Sequence, residues 1–188
     1  MTDTATRILD SAQELIQTRG YTAMSFQDIA SQVEIRKPSI IHHFPSKAAL
    51  GVAVIQRYRE TFAIHLEAVA TDPDKTAWDA LEFYFSPYLA FAETPNKVCL
   101  CGALAGEILA IPEEMHAEVK DFMLSHQVWL EGVLRAGKKN GQLKFKETPA
   151  RLARTIFSTL QGALLVKRST GDISQVKEVT KAIRHMLK

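Results

Sequence analysis

Apolar residues recur every three or four positions along almost the whole chain, and alternating β-branched runs bounded by hairpin turns are missing. A period near 3.6 lines one side of a helix and cannot line one face of a strand. The chain is therefore restricted to an all-α fold, and its breaks divide it into about nine helices.

A first helix is expected from about Thr4 to Arg19, with Ile8, Ala12, Leu15 and Ile16 on one face and Gly20 as its stop. Ser25 and Asp28 read as a capping box for a short second helix that turns Ile29, Ala30 and Val33 inward. A third starts near Lys37, where Pro38 falls in a first turn that needs no N–H, and ends before Pro45. Ser46 caps a long fourth helix towards Val69, and Asp72-Pro73-Asp74 separates it from a fifth carrying Trp78, Leu81, Phe85, Tyr88 and Ala92. A small-residue sixth is expected over Cys99 to Ile111, a seventh from beyond Pro112 to Ala136, an eighth from Pro149 to Gly171 and a ninth from Asp172. No repeat, linker or low-complexity tract interrupts them.

Composition sets outer limits. At 188 residues and 46% hydrophobic content, one full core or two smaller ones can form. The first residues are acidic and amphipathic with no apolar h-region, and no stretch approaches the roughly 18 uninterrupted apolar residues of a membrane span. Cys99 and Cys101 are too close for an unstrained mutual disulfide, so reduced thiols and a cytoplasmic location are expected. A net charge of +2 neither demands nor excludes nucleic acid.

Local sequence is more informative. Helix, turn, short helix, turn and long helix within the first 60 residues is the layout of a helix-turn-helix module, although a generic three-helix cap would share its apolar spacing. The segment RILDSAQELIQTRGYTAMSFQDIASQVEIRKPSIIHHFPSKAALGVAV separates the two. In Ile8, Ala12 to Leu15, Arg19-Gly20-Tyr21, Asp28-Ile29-Ala30, His42-His43-Phe44 and Pro45-Ser46-Lys47 it resembles the N-terminal signature of the TetR/AcrR family of transcriptional regulators. The resemblance covers about the first 55 residues and implies a recognition helix over Lys37 to His43.

On that footing residues 1–50 form a DNA-binding domain and residues 51–188 an effector-binding and dimerisation domain. Lys37, Ser39, His42 and His43 can donate to base edges or phosphates, Gln27 can read an adenine edge, and Ser25 and Lys47 suit phosphates. The plainer alternatives are a half-buried histidine pair bonded to backbone and a solvated Lys47. Three residues depart from the family pattern. Glu34 replaces the usual turn glycine and must accept a positive φ or reshape the turn; Ile41 replaces a tyrosine; and Arg36 replaces a small capping hydroxyl while adding a charge for phosphate.

The remainder carries no equally sharp motif. The resemblance implies a ligand cavity around the fifth, sixth and seventh helices, lined by Phe85, Tyr88, Leu104, Met123 and Trp129, with Glu107 and His126 as inward polar groups. A satisfied buried pair is the plain alternative for those two. Cys99 and Cys101, in the run Cys-Leu-Cys-Gly, look like a stretch of relatives that respond to electrophiles, against the ordinary fate of free cysteine as small core. Leu152, Ile156, Leu160 and Ala163, with Val176, Val179 and Ile183, form a stripe that the resemblance assigns to a homodimer interface.

The resulting expectation is a dimeric regulator, of the repressor type, holding a palindromic operator and released by a small molecule or electrophile. No cofactor, metal site or catalytic residue is expected. A thiol or metal enzyme lacks HExxH, a second cysteine pair, a phosphate-cradling glycine loop or Ser-His-Asp wording. A helical interaction module without DNA binding would fit Glu34 and Ile41.

Overall fold

The computed structural model describes residues 3–188 and, among them, nine α-helices and no strand. The helices are α1 (Thr4–Arg19), α2 (Phe26–Val33), α3 (Lys37–His43), α4 (Lys47–Thr71), α5 (Ala77–Glu93), α6 (Leu100–Gly106), α7 (Glu113–Lys139), α8 (Pro149–Thr170) and α9 (Ser174–Met186). They gather into two compact units, one of the residues up to Glu60 with Leu100–Phe122, the other of Thr61–Cys99 with Met123–Lys188. The packing does not divide at residue 50, because α6 and the start of α7 group with the N-terminal helices.

In the first unit, Ile8, Ala12, Leu15 and Ile16 give α1 a buried face. Arg7 donates to the carbonyl of Val33 at 2.6 Å and Ser11 to the Gln32 amide oxygen at 2.6 Å, tying α1 to α2. The predicted capping box forms: Ser25 Oγ accepts from the Asp28 N–H (3.2 Å) while Asp28 accepts from the Ser25 N–H (2.9 Å). Of the two options at Glu34, the chain takes the strained one, φ 58° and ψ 44°, which closes α2 and lets Ile35 donate back to Ala30 at 3.1 Å. Ser46 caps α4 by accepting from the Ala49 N–H at 3.0 Å. Gly51 lets the Met115 side chain approach so closely that a Cβ there would lie 2.6 Å from its sulfur.

α6 is shorter than its small-residue run suggests. It ends at Gly106, and Glu107 to Ala110 form a turn in which the Ala110 and Ile111 N–H groups both donate to the Glu107 carbonyl. α7, conversely, passes Ala136 to Lys139 through Gly137, where a Cβ would meet Leu143 at 2.5 Å and Ala77 at 2.7 Å.

The second unit opens with another capping box, Thr76 with Asp79. α5 continues through Pro87, and the carbonyl of Phe83 that this proline cannot reach is taken by the Ser86 hydroxyl at 2.8 Å. Thr148 caps α8 and Gly171, at φ 75°, ends it. The stripe assigned to a dimer interface is corrected here: Leu152, Ile156, Leu160, Ala163, Val176 and Ile183 are each at most 3% exposed in the single chain, with Val179 half-buried. They are consumed by packing of α8 against α9 and α5. What α8 and α9 leave at the surface is Leu165, Val166 and Met186, with Ile173 between them.

Candidate nucleic-acid interface and effector core

α3 sits on one apolar anchor. Ile40 is fully buried, Phe44 half-buried, and the remaining side is turned outward: Arg36, Lys37, Ser39, Ile41, His42 and His43 are all exposed. The histidine rings meet edge to face at 5.6 Å, and with Thr4, Ile35, Pro38 and Ser39 they line a shallow open cleft. The half-buried alternative for the pair is thereby removed. Arg36 occupies the N-cap position of α3 without a side-chain cap bond, which leaves its guanidinium to the surface. A chain of nearly balanced charge thus concentrates cationic and hydrogen-bonding groups on one short helix.

Gln27 and Ser25 stand exposed at the start of α2, Ser25 occupied in its cap. Lys47 is only half-buried, yet it is not simply solvated: its ammonium donates to the Thr22 carbonyl at 3.2 Å and lies 4.4 Å from the centre of the Tyr21 ring. Burial lowers its pKa, opposed by Glu107 and Asp28.

In the second unit the expected effector residues lie around a buried polar chain. Tyr84 shares its hydroxyl with Nδ1 of His126 (3.1 Å) and with the Tyr88 hydroxyl (3.4 Å), to which Gln161 donates at 3.2 Å. Trp129 stacks on Tyr84 at 5.3 Å and donates to the Leu66 carbonyl at 3.0 Å, while Phe62 and Phe157 flank the histidine. Burial pushes the Tyr84 hydroxyl up and holds His126 down at about 4, so both are neutral near pH 7. Phe85 is fully buried and Met123 half-buried. Tyr84 and Gln161 lie outside the expected lining set, although Tyr84 shares a helix face with Tyr88 by its i, i+4 spacing.

The expected set is divided between the two compact units. Cys101, Leu104 and Glu107 belong to the first unit; Phe85, Tyr88, Cys99, Met123, His126 and Trp129 to the second. Glu107 is half-buried and accepts hydrogen bonds from Thr22. Cys99 and Cys101 form no disulfide and are buried, at 3% and 0% exposure. Among the described residues no three His, Cys, Asp or Glu side chains gather as a metal ion would need, and no helix is long and apolar enough to cross a membrane.

A helix-turn-helix whose second helix turns cationic and hydrogen-bonding groups outward, followed by a larger helical region with a buried aromatic core, is the arrangement of a transcriptional regulator. Residues 8–54 match the family described as bacterial regulatory proteins, tetR family, and residues 77–183 match the tetracyclin repressor-like C-terminal domain. The chain belongs to the TetR family, the class of ligand-responsive transcriptional repressors. A TetR transcriptional regulator from Legionella pneumophila has a similar solved structure, with TM-score 0.90 and 33% identity over 100% of this chain and 99% of that one. The transcriptional repressor NemR of Escherichia coli is 22% identical over 98% of this chain and 94% of its own length. The reduced form of NemR shares the fold, with TM-score 0.85 over 100% of this chain and 98% of that one.

Proposed function

We propose that this chain represses transcription as a homodimer on a palindromic operator, which it releases when an effector binds its helical region, and that it has no catalytic role. Residues 1–50 hold DNA and residues 51–188 serve effector binding and dimerisation, in the cytoplasm where operator DNA is found. The observation that carries this reading is the outward set on α3, with Lys37, Ser39, His42 and His43 exposed around a fully buried Ile40. That helix enters the major groove, with Gln27 reading a base edge and Arg36, Ser25 and Lys47 meeting phosphates.

Dimerisation uses the surface that α8 and α9 leave free, with Leu165 and Val166 at its centre. The effector is a small molecule received among Phe85, Tyr88, Met123, His126 and Trp129. A second version has an electrophile alkylating Cys99 or Cys101, which form no disulfide; because both are buried, the attacked thiol must first become accessible. Selection of bound duplexes from a random pool tests the function. Enrichment of an inverted repeat with half-sites roughly 34–36 Å apart supports it, and failure to enrich any duplex at low salt rejects it.

A further inference from the structure

The turn after α6 is fastened to the turn after α1, within the first compact unit. One oxygen of Glu107, Oε2, accepts from both the Thr22 backbone N–H (2.8 Å) and the Thr22 hydroxyl (2.7 Å), residues 85 positions apart. The other, Oε1, lies over Gly20, where an added Cβ would stand only 1.9 Å from it. Gly20 also holds φ 95° and ψ 161°, a region that side chains exclude, so the turn needs glycine for two independent reasons. From the opposite side, the Thr22 carbonyl accepts from Lys47 at 3.2 Å. Thr22 is thus held by a carboxylate on its N–H and an ammonium on its C=O, both charge-assisted bonds of the stronger kind.

Those contacts bracket α3. The 20–22 turn leads through buried Met24 to Ser25 and Gln27, and Lys47 opens α4 directly after α3. We propose that Glu107 is a positioning residue for operator binding: through Thr22 it sets the start of α2 and the Lys47 ammonium at the spacing that phosphates require. The inference rests on the DNA-binding reading above. It makes operator affinity depend on the turn after α6, where no residue need touch DNA.

The test uses the full chain and the duplex enriched by wild type, with affinity measured across a salt series. Glu107→Ala is expected to weaken binding about tenfold and to reduce the salt slope by about one phosphate contact. Glu107→Gln keeps an oxygen for both Thr22 donors and an amino group over Gly20, and should stay within about twofold of wild type. Thr22→Val, which loses only the hydroxyl, should fall between them. Once Lys47 is alanine, removing Glu107 should cost little more, because both act through one contact. Wild-type affinity and slope in Glu107→Ala, or losses that simply add to those of Lys47→Ala, overturn the proposal. Should Glu107→Ala fail to fold, wild-type affinity and slope in Thr22→Val overturn it instead. If wild type itself enriches no duplex, the DNA-binding reading falls first and this inference with it.

Discussion

The Tyr84 hydroxyl lies 3.1 Å from Nδ1 of His126, in a core where neither side chain is more than 4% exposed. That pairing has a pH signature. Burial lowers the His126 pKa from its ordinary 6.5 to about 4. Above pH 6.5 neither the folded nor the unfolded chain carries a proton there; as pH falls below it, the unfolded chain gains one that the folded chain refuses. Stability is therefore lost between about pH 6.5 and 4, by about 3 kcal/mol over the whole span. His126→Leu should flatten that part of the pH–stability curve in urea titrations relative to wild type. Parallel curves would show that His126 titrates normally in the folded protein.

Lys167 is 3% exposed, and its ammonium donates to the carbonyls of Phe91 (3.1 Å) and Thr94 (2.5 Å) at the end of α5. It adds a charged second donor to the last carbonyls of that helix, which already accept from the Thr94 N–H (3.2 Å) and the Lys97 N–H (3.4 Å). Lys167→Met keeps the stem but removes the charged donor from both carbonyls, so unfolding free energy should fall by about 1–2 kcal/mol. A loss below about 0.5 kcal/mol would mean that water replaces the ammonium there.

Glu34 holds φ 58° where a side chain is strained. Glu34→Gly should raise stability by about 1 kcal/mol in denaturant unfolding without altering DNA affinity at fixed salt. A destabilised variant would show that the carboxylate has a role its backbone does not reveal.

The residues whose partners are close along the chain are legible in the sequence. Ser25 with Asp28, Pro38 at the start of α3 and Ser46 before α4 act within one helical turn, and a short-range rule finds each of them. The partner of Glu107 is not legible, because Thr22 lies 85 positions away. An apolar stripe likewise does not say what covers it. By spacing alone Ile156, Leu160 and Ile183 read as surplus apolar surface, and packing inside the chain accounts for all three. Periodicity reports which face of a helix is buried, and not whether the cover comes from the same chain or a second copy.

That distinction makes the dimer testable. Leu165 and Val166 are 43% and 44% exposed on α8. Val166→Glu places a charge on the proposed shared surface and should shift the protein to a monomer in light scattering at micromolar concentration, with little change in its helical signal. A dimer of unchanged stability would move the interface elsewhere.

The central claim is that the outward face of α3 reads base pairs. Repeating the random-pool selection with His42→Ala tests it most directly, because the variant leaves the buried Ile40 anchor of α3 intact. The account predicts an enriched sequence whose preference is relaxed at particular base pairs, once in each half-site, with the salt slope changed by less than about one. An enriched sequence identical to that of wild type at every position would contradict it.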